Sequence, residues 1–217
     1  NIINAKLEGS VKIYGRDTRL MQLKELSTLV GTVYQTPEDQ IFSLVVEDDV
    51  AFGPENLALP PDEIRKRVED SLRLVGLLDR KKFPTFLLSG GQKQRLVIAD
   101  ALSMRPKVLI LDEPTSMLDS LGTSEVFSTL KKLRDEYGMT ILMAEHKVER
   151  VLGLVDRLIL IYDKTVVIDK PIREALMEDL VMYGIEEPQV SYLYKQIGGS
   201  GKAPLTIDCL LYTSPSP

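Results

Sequence analysis

Two short stretches of this 217-residue chain carry residue types that could act on a phosphorylated nucleotide. The first is LSGGQKQR, Leu88 to Arg95. Ser89, with Gln92 three positions later, forms an S-x-x-Q capping box, so a helix is expected to start here. Gly90 and Gly91 fall in its first turn, where the lack of side chains leaves the first backbone N–H groups uncovered and lets a ligand approach the main chain. Those donors, at the positive end of the helix dipole, make a seat for an anion. The second stretch is VLILDEP, Val108 to Pro114. An apolar run ending in a carboxylate is the pattern of a parallel strand buried on both faces. Asp112 and Glu113 would then stand at the carboxyl end of a central strand, where open α/β sheets bind ligands. A phosphate seat and a carboxylate pair able to hold a metal ion and act as a base suggest hydrolysis of a nucleoside triphosphate.

The remaining chain supplies elements that could position these groups. Val11–Gly15 and Leu29–Gln35 read as short strands, the second leaving the sheet at the amide of Gln35. Residues 36–60 are acidic and expected to be loop-rich. A helix should begin at Pro61, with Asp62 and Glu63 in its first turn and Ile64, Val68, Leu72 and Val75 on one stripe. Another should run from Ser89 to Met104, where Leu96, Ala99 and Leu102 serve packing. A third carries Val126, Phe127, Leu130 and Leu133 inward and stops at Gly138. Met139–Ala144 is expected as the next buried strand, delivering Glu145 and His146. A right-handed crossover would bring His146, the sole histidine of the chain, to the sheet edge that holds Glu113. Asp156–Asp169 reads as a hairpin turning at Asp163-Lys164, a poorer turn than Asp-Gly. Helices from Pro171 to about Tyr183 and from Pro188 to Ile197 follow.

Composition narrows the function classes. A chain of this length can bury roughly 70% of its unfolded surface, enough for one α/β domain with a helical insertion. The net charge of -5, with no block of Lys or Arg longer than three, makes nucleic acid a poor partner. One cysteine, Cys209, excludes a disulfide framework and a Cys-based zinc site. No apolar run reaches the ~18 residues of a membrane span.

In this order, LSGGQ, a hydrophobic strand with DEP, and then SMLD (Ser116–Asp119) resemble the signature, Walker B and D-loop series of ATP-binding-cassette (ABC) ATPases. The resemblance covers residues 1 to about 197, and the wording PEDQ with Gln40, followed by EDDVAFGPEN, is similar to ATPase subunits of energy-coupling factor (ECF) importers and related cobalt and nickel systems. It implies a mostly parallel P-loop NTPase-like sheet with an inserted helical subdomain and remnants of an antiparallel β-subdomain. The expected organisation is a partial β-subdomain and core at 1–35, a helical subdomain at 36–105, a core at 106–198, a linker at 199–208 and a foreign tail at 209–217.

The resemblance also implies roles. Gln35 becomes the Q-loop glutamine, ligating Mg²⁺ or orienting water; its place 54 residues before Ser89 fits that assignment. Ser89, Gly90, Gly91 and Gln92 would face the ATP bound to a second ABC domain, Asp112 would anchor Mg²⁺, Glu113 would polarise the attacking water, and His146 would be the switch histidine. Asp119 would couple the two sites of a dimer. Implied partners are that second ATPase domain, in a homodimer, a heterodimer or a fusion continuing downstream, and an integral membrane subunit whose helix docks in the groove between the helical subdomain and the core. The location implied is the cytoplasmic face of the membrane.

The family's G-x-x-x-x-G-K-[ST] loop is absent from these residues. GGSGKA, Gly198–Ala203, has Gln196 where the first Gly belongs and Ala203 in place of the hydroxyl, and reads as a linker. The chain opens at Asn1 in mid-pattern, and the expectation is a cut at the front with the phosphate loop just upstream, so that the fragment alone hydrolyses essentially no ATP. A soluble ABC ATPase acting in DNA repair or on ribosomes is the alternative. The transported solute, among which vitamins and metal ions are usual, is not legible.

Overall fold

The computed structural model describes residues 8–213. The chain divides into two compact units, Asn1–Ala144 and Glu145–Pro217. In the first, a two-residue hairpin pairs β1 (Lys12–Ile13) antiparallel with β2 (Arg16–Asp17), and a short helix α1 (Leu23–Ser27) leads into β3 (Val30–Val33). Three helices follow: α2 (Val46–Asn56), α3 (Pro61–Leu74) and α4 (Gly90–Ser103). The chain then returns to the sheet as β4 (Val108–Asp112), crosses through α5 (Ser120–Tyr137) and ends the unit as β5 (Thr140–Ala144). The sheet order is β3-β4-β5, all parallel, with Leu109 beside Gly31 on one side and Ile141 on the other.

Helix α4 holds this unit together. Leu96, Val97, Ile98 and Ala99 are four consecutive residues with at most 1% of their surface exposed, so no side of the helix faces water. It packs on α2, α3, α5 and β3. Each such Leu, Ile or Val contributes about 1.5–3 kcal/mol of burial, which makes α4 the main apolar anchor of its neighbours. Leu102, on the same helix, is likewise buried. The expected stripe of α3 is present, with Val68, Leu72 and Val75 buried. Helix α5 stops at Gly138, which adopts φ +60°, and its N–H bonds the Arg134 carbonyl at 3.1 Å.

The second unit contains α6 (Val148–Val151), the antiparallel hairpin β6 (Arg157–Tyr162) and β7 (Thr165–Pro171), then α7 (Ile172–Ala175), α8 (Gln189–Gln196) and α9 (Ile207–Thr213). Asp163 and Lys164 both take positive φ (44° and 63°), so the two-residue turn forms in the primed geometry without glycine. Its core gathers Val148, Leu152, Ile168, Ile172, Leu176 and Leu180.

Several elements differ from expectation. The acidic stretch 36–60 contains the three-turn helix α2: Glu47, Asp48 and Asp49 occupy its first turn, where the dipole favours carboxylates, and Val46, Val50 and Pro54 bury one stripe. Strand β5, expected to be buried, has Leu142 at 53% exposure, because β5 is the last strand of the described sheet. The helix expected to run to Tyr183 stops at Ala175; Asp179 Oδ1 instead accepts the Met182 N–H (3.3 Å), a local bond that competes with helix, before a 3-10 turn over Val181–Tyr183. Residues 199–208, expected as a linker, are packed: Ala203 is fully buried and its N–H bonds the Arg173 carbonyl at 2.9 Å. Helix α9 runs across the tail boundary placed at Cys209, with Leu210 buried in the core of its unit.

Candidate nucleotide site

The capping box at the head of α4 is complete. The Gln92 N–H donates to Ser89 Oγ (3.3 Å), and the Ser89 N–H donates to Gln92 Oε1 (3.0 Å). Ser89 and Gly90 are exposed at this terminus. Gln92, expected to touch nucleotide, already uses its side-chain oxygen to close the cap.

Gly91 has a different reason for being glycine than ligand approach. It is buried, and a Cβ placed on it would lie 2.9 Å from Cα of Gly122 in the first turn of α5. The backbones of the two helices touch here. Asp119 is the N-cap of α5, its Oδ1 accepting the Gly122 N–H at 2.7 Å. The capped terminus of α4 and the expected D-loop aspartate are thus joined through two glycines.

A second constellation forms at the carboxyl ends of β3 and β4. Gln35 and Glu113, separated by 78 positions, meet there: Gln35 Nε2 donates to Glu113 Oε2 at 3.1 Å. An ionised carboxylate only accepts, so the amide nitrogen must face it, which turns the Gln35 carbonyl oxygen outward. Glu113 holds φ +43°, a left-handed conformation that costs a non-glycine residue about 1–3 kcal/mol. Its N–H bonds the Ala144 carbonyl (3.1 Å), and its carbonyl accepts both the N–H (3.2 Å) and Oγ (3.1 Å) of Ser116. Fixed on both sides, the residue turns sharply out of the strand. Asp112 is exposed at the strand end beside it. An exposed carboxylate and an amide oxygen are hard donors, which fit Mg²⁺: that ion keeps several waters and takes one or two protein carboxylates. Among the described residues no cluster of three or more His, Cys, Asp or Glu side chains suits a tighter metal site.

Helix α4 also reaches the segment after Gln35. Lys93 Nζ bonds Glu38 Oε1 at 2.7 Å, and that bond holds the Glu38 carboxyl below its ordinary range. Gln40 accepts the Tyr34 N–H (2.7 Å) and donates to the Thr32 carbonyl (3.2 Å), so it bonds along the outer edge of β3. His146 is exposed in the second unit, between β5 and α6. Reading the sequence missed Arg95, Glu125 and Gly122. Asp119 followed three residues later by glycine is the one local sign that could have pointed to the last.

The family model for ABC transporters matches residues 2–116, more than half of the chain, including the signature stretch and Walker B. The chain belongs to the ABC transporter family. The ECF transporter ATP-binding protein EcfA1 of Caldanaerobacter subterraneus subsp. tengcongensis is 44% identical over 204 residues, which cover 93% of this chain and 73% of that protein. A longer ATP-binding protein of ABC-transporter type from Methanosarcina acetivorans is 43% identical over 192 residues, and the chain spans 30% of its length. Among solved structures, cbiO1 of Clostridium perfringens, described as part of the ABC transporter complex cbiONQ, aligns with a TM-score of 0.67 at 40% identity over 78% of this chain and 68% of that one. The ATP-binding cassette MJ0796, a dimer bound to ADP and Pi, aligns at 0.64 and 29% identity over 76% and 74%. The α/β fold, with its parallel sheet, helices and antiparallel pieces, is that of an ABC ATPase.

Proposed function

We propose that this chain is the ATP-binding and ATP-hydrolysing part of an ABC importer of the energy-coupling-factor type, working as one of two cassettes on the cytoplasmic face of a membrane. The observation that carries the reading is the Gln35–Glu113 hydrogen bond at the sheet edge beside Asp112. It brings Gln35 to the adjacent carboxylates Asp112 and Glu113, 77 and 78 positions further on, where a triphosphate and its metal would sit. The names of EcfA1 and cbiO1 support the importer class.

In this reading Ser89 Oγ and the N–H groups at Gly90 and Gly91 hold the γ-phosphate bound to the other cassette, where the open helix terminus stabilises charge on the transferring group. Asp112, through water, and the Gln35 oxygen would hold Mg²⁺, which would supply positive charge against that of the phosphates. Glu113 accepts a hydrogen bond from the attacking water and is kept in line by the Gln35 amide. His146 takes the role of the switch histidine, and Asp119 connects the two sites of the dimer. These 217 residues hold no G-x-x-x-x-G-K-[ST] loop, and in this reading they are expected to hydrolyse essentially no ATP on their own.

The membrane partner has a surface to dock on. The Val45–Pro84 bridge, together with the Thr85 N–H to Leu44 carbonyl (3.0 Å) and Thr85 Oγ1 to Ser43 carbonyl (2.8 Å) bonds, holds two loops side by side. They leave Phe42, Leu44, Phe86 and Leu87 each more than half exposed, with Phe42 stacked 5.6 Å from Phe52. A contiguous apolar surface of this kind suits a short amphipathic helix of a membrane subunit.

The test joins the upstream coding segment to this chain and measures Mg²⁺-dependent ATP hydrolysis. Glu113→Gln is expected to lower turnover roughly 10²- to 10⁴-fold while ATP binding persists. An unchanged rate removes Glu113 from the role of base.

A further inference from the structure

One guanidinium ties α4 to the end of α3 and to the second turn of α5. Arg95 lies on α4, six residues beyond the N-cap Ser89, with its side chain 13% exposed. Its Nη1 donates to the carbonyl of Val75, the C-cap of α3, at 2.9 Å. Its Nη2 donates to Glu125 Oε2, early in α5, at 3.1 Å. Both bonds use the planar fork of arginine, which a lysine, as a single point charge, cannot reproduce. On the same side of the junction Gly91 meets Gly122, whose N–H is held by Asp119. Arg95 and the glycine contact therefore fix the first two turns of α5 against α4 at two points, directly behind the N-cap Asp119.

We infer that Arg95 is a positioning residue. Through Glu125 and the Val75 carbonyl it sets the open terminus of α4 and the Asp119 turn in one fixed register, so that a nucleotide-bearing partner cassette meets both as a single surface. The inference rests on the ATPase reading above. A partly buried ion pair adds little stability over an apolar contact of equal volume, whereas it fixes angle and distance. Hydrolysis demands that geometry: a misplacement of about 1 Å at a reacting centre can cost roughly 10²-fold in rate.

Two measurements test it. In the upstream-extended protein, Arg95→Gln is expected to lower kcat about 10- to 100-fold with KM for ATP within about twofold, because Arg95 touches no nucleotide of its own site; Arg95→Lys, which keeps the charge but not the fork, should fall between. An unchanged kcat in a folded Arg95→Gln variant, or a rise in KM alone, overturns the inference. In the 217-residue chain, amide hydrogen exchange at Gly122 reads the same junction without nucleotide, and Arg95→Gln should speed it about 10-fold. If the extended wild-type protein hydrolyses no ATP, the ATPase reading fails and exchange alone decides: faster exchange supports the junction, and unchanged exchange refutes it.

Discussion

Replacing Gly91 by alanine should destabilise the first unit, and Gly90 beside it provides the control. A Cβ at Gly91 would stand 2.9 Å from the Gly122 Cα, with Glu125 Oε2 the next neighbour at 3.6 Å. Carbon atoms pack best at about 3.5–4.0 Å, so the overlap is about 0.6–1 Å and falls on backbone, which cannot rotate away. Overpacking of this kind costs about 1–3 kcal/mol, offset by at most about 1 kcal/mol of helix propensity. The net loss is therefore ~0–2 kcal/mol. At Gly90 the nearest atom is Leu118 Cδ2 at 3.3 Å, the far end of a flexible side chain, so Gly90→Ala keeps most of the propensity gain. Urea unfolding followed by circular dichroism should place the two variants about 1–3 kcal/mol apart, with Gly91→Ala the weaker. Adding Gly122→Ala should give a coupling term, because the two sites touch. Equal midpoints for Gly90→Ala and Gly91→Ala would refute the claim that the helix backbones meet there.

Two further outcomes follow from other parts of the fold. Burial first, and then the neighbouring Asp49 carboxylate, push the Asp100 carboxyl well above its ordinary range; part of the residue reaches solvent, but Oδ1 is buried without a partner. Asp49 itself is 4% exposed and accepts the N–H groups of Phe42 and Ser43 at 2.9 and 2.8 Å. A raised native pKa means the folded state binds the proton more tightly, so this stability is present below about pH 4 and is lost as pH rises towards the folded value. Asp100→Asn keeps a donor for Asp49 without the charge; it should be about 1–3 kcal/mol more stable at pH 7 and show a flatter decline above pH 4 in urea titrations. Parallel pH profiles would refute the raised affinity of the Asp100 carboxyl for its proton. Leu44→Asp or Phe86→Asp, both at exposed positions, should leave the urea midpoint within about 0.5 kcal/mol while abolishing co-purification of the extended protein with its membrane subunit; undiminished capture would remove this surface from the docking role.

Much of the fold was legible wherever a local signal and a burial pattern agreed. Ser89 and Gln92 announced α4, the apolar run into Asp112 announced β4, and Gly138 announced the end of α5, because each depends on backbone chemistry within a few residues. Helix α2 escaped because its signals conflict: Gly53 and Pro54 argue for a turn, while three acidic residues and the Val46–Val50 spacing argue for a helix, and packing on α4 decided it. Helix α9 escaped because only the core it packs against, through Leu210, reveals what it is for. At the site, residue types were legible and contacts were not. Gln35 and Glu113 were each identifiable, but their hydrogen bond spans 78 positions. Gly91 was readable as a place without a side chain, whereas the partner requiring that, Gly122, is visible only in space.

The amide of Gln40 guards one edge of the described sheet. By bonding the Tyr34 N–H and the Thr32 carbonyl, it occupies outward-facing groups that another chain would need in order to pair with β3. Intermolecular pairing through the β3 edge is therefore opposed by one side chain, and Gln40→Ala is expected to lower the concentration up to which the chain stays monomeric.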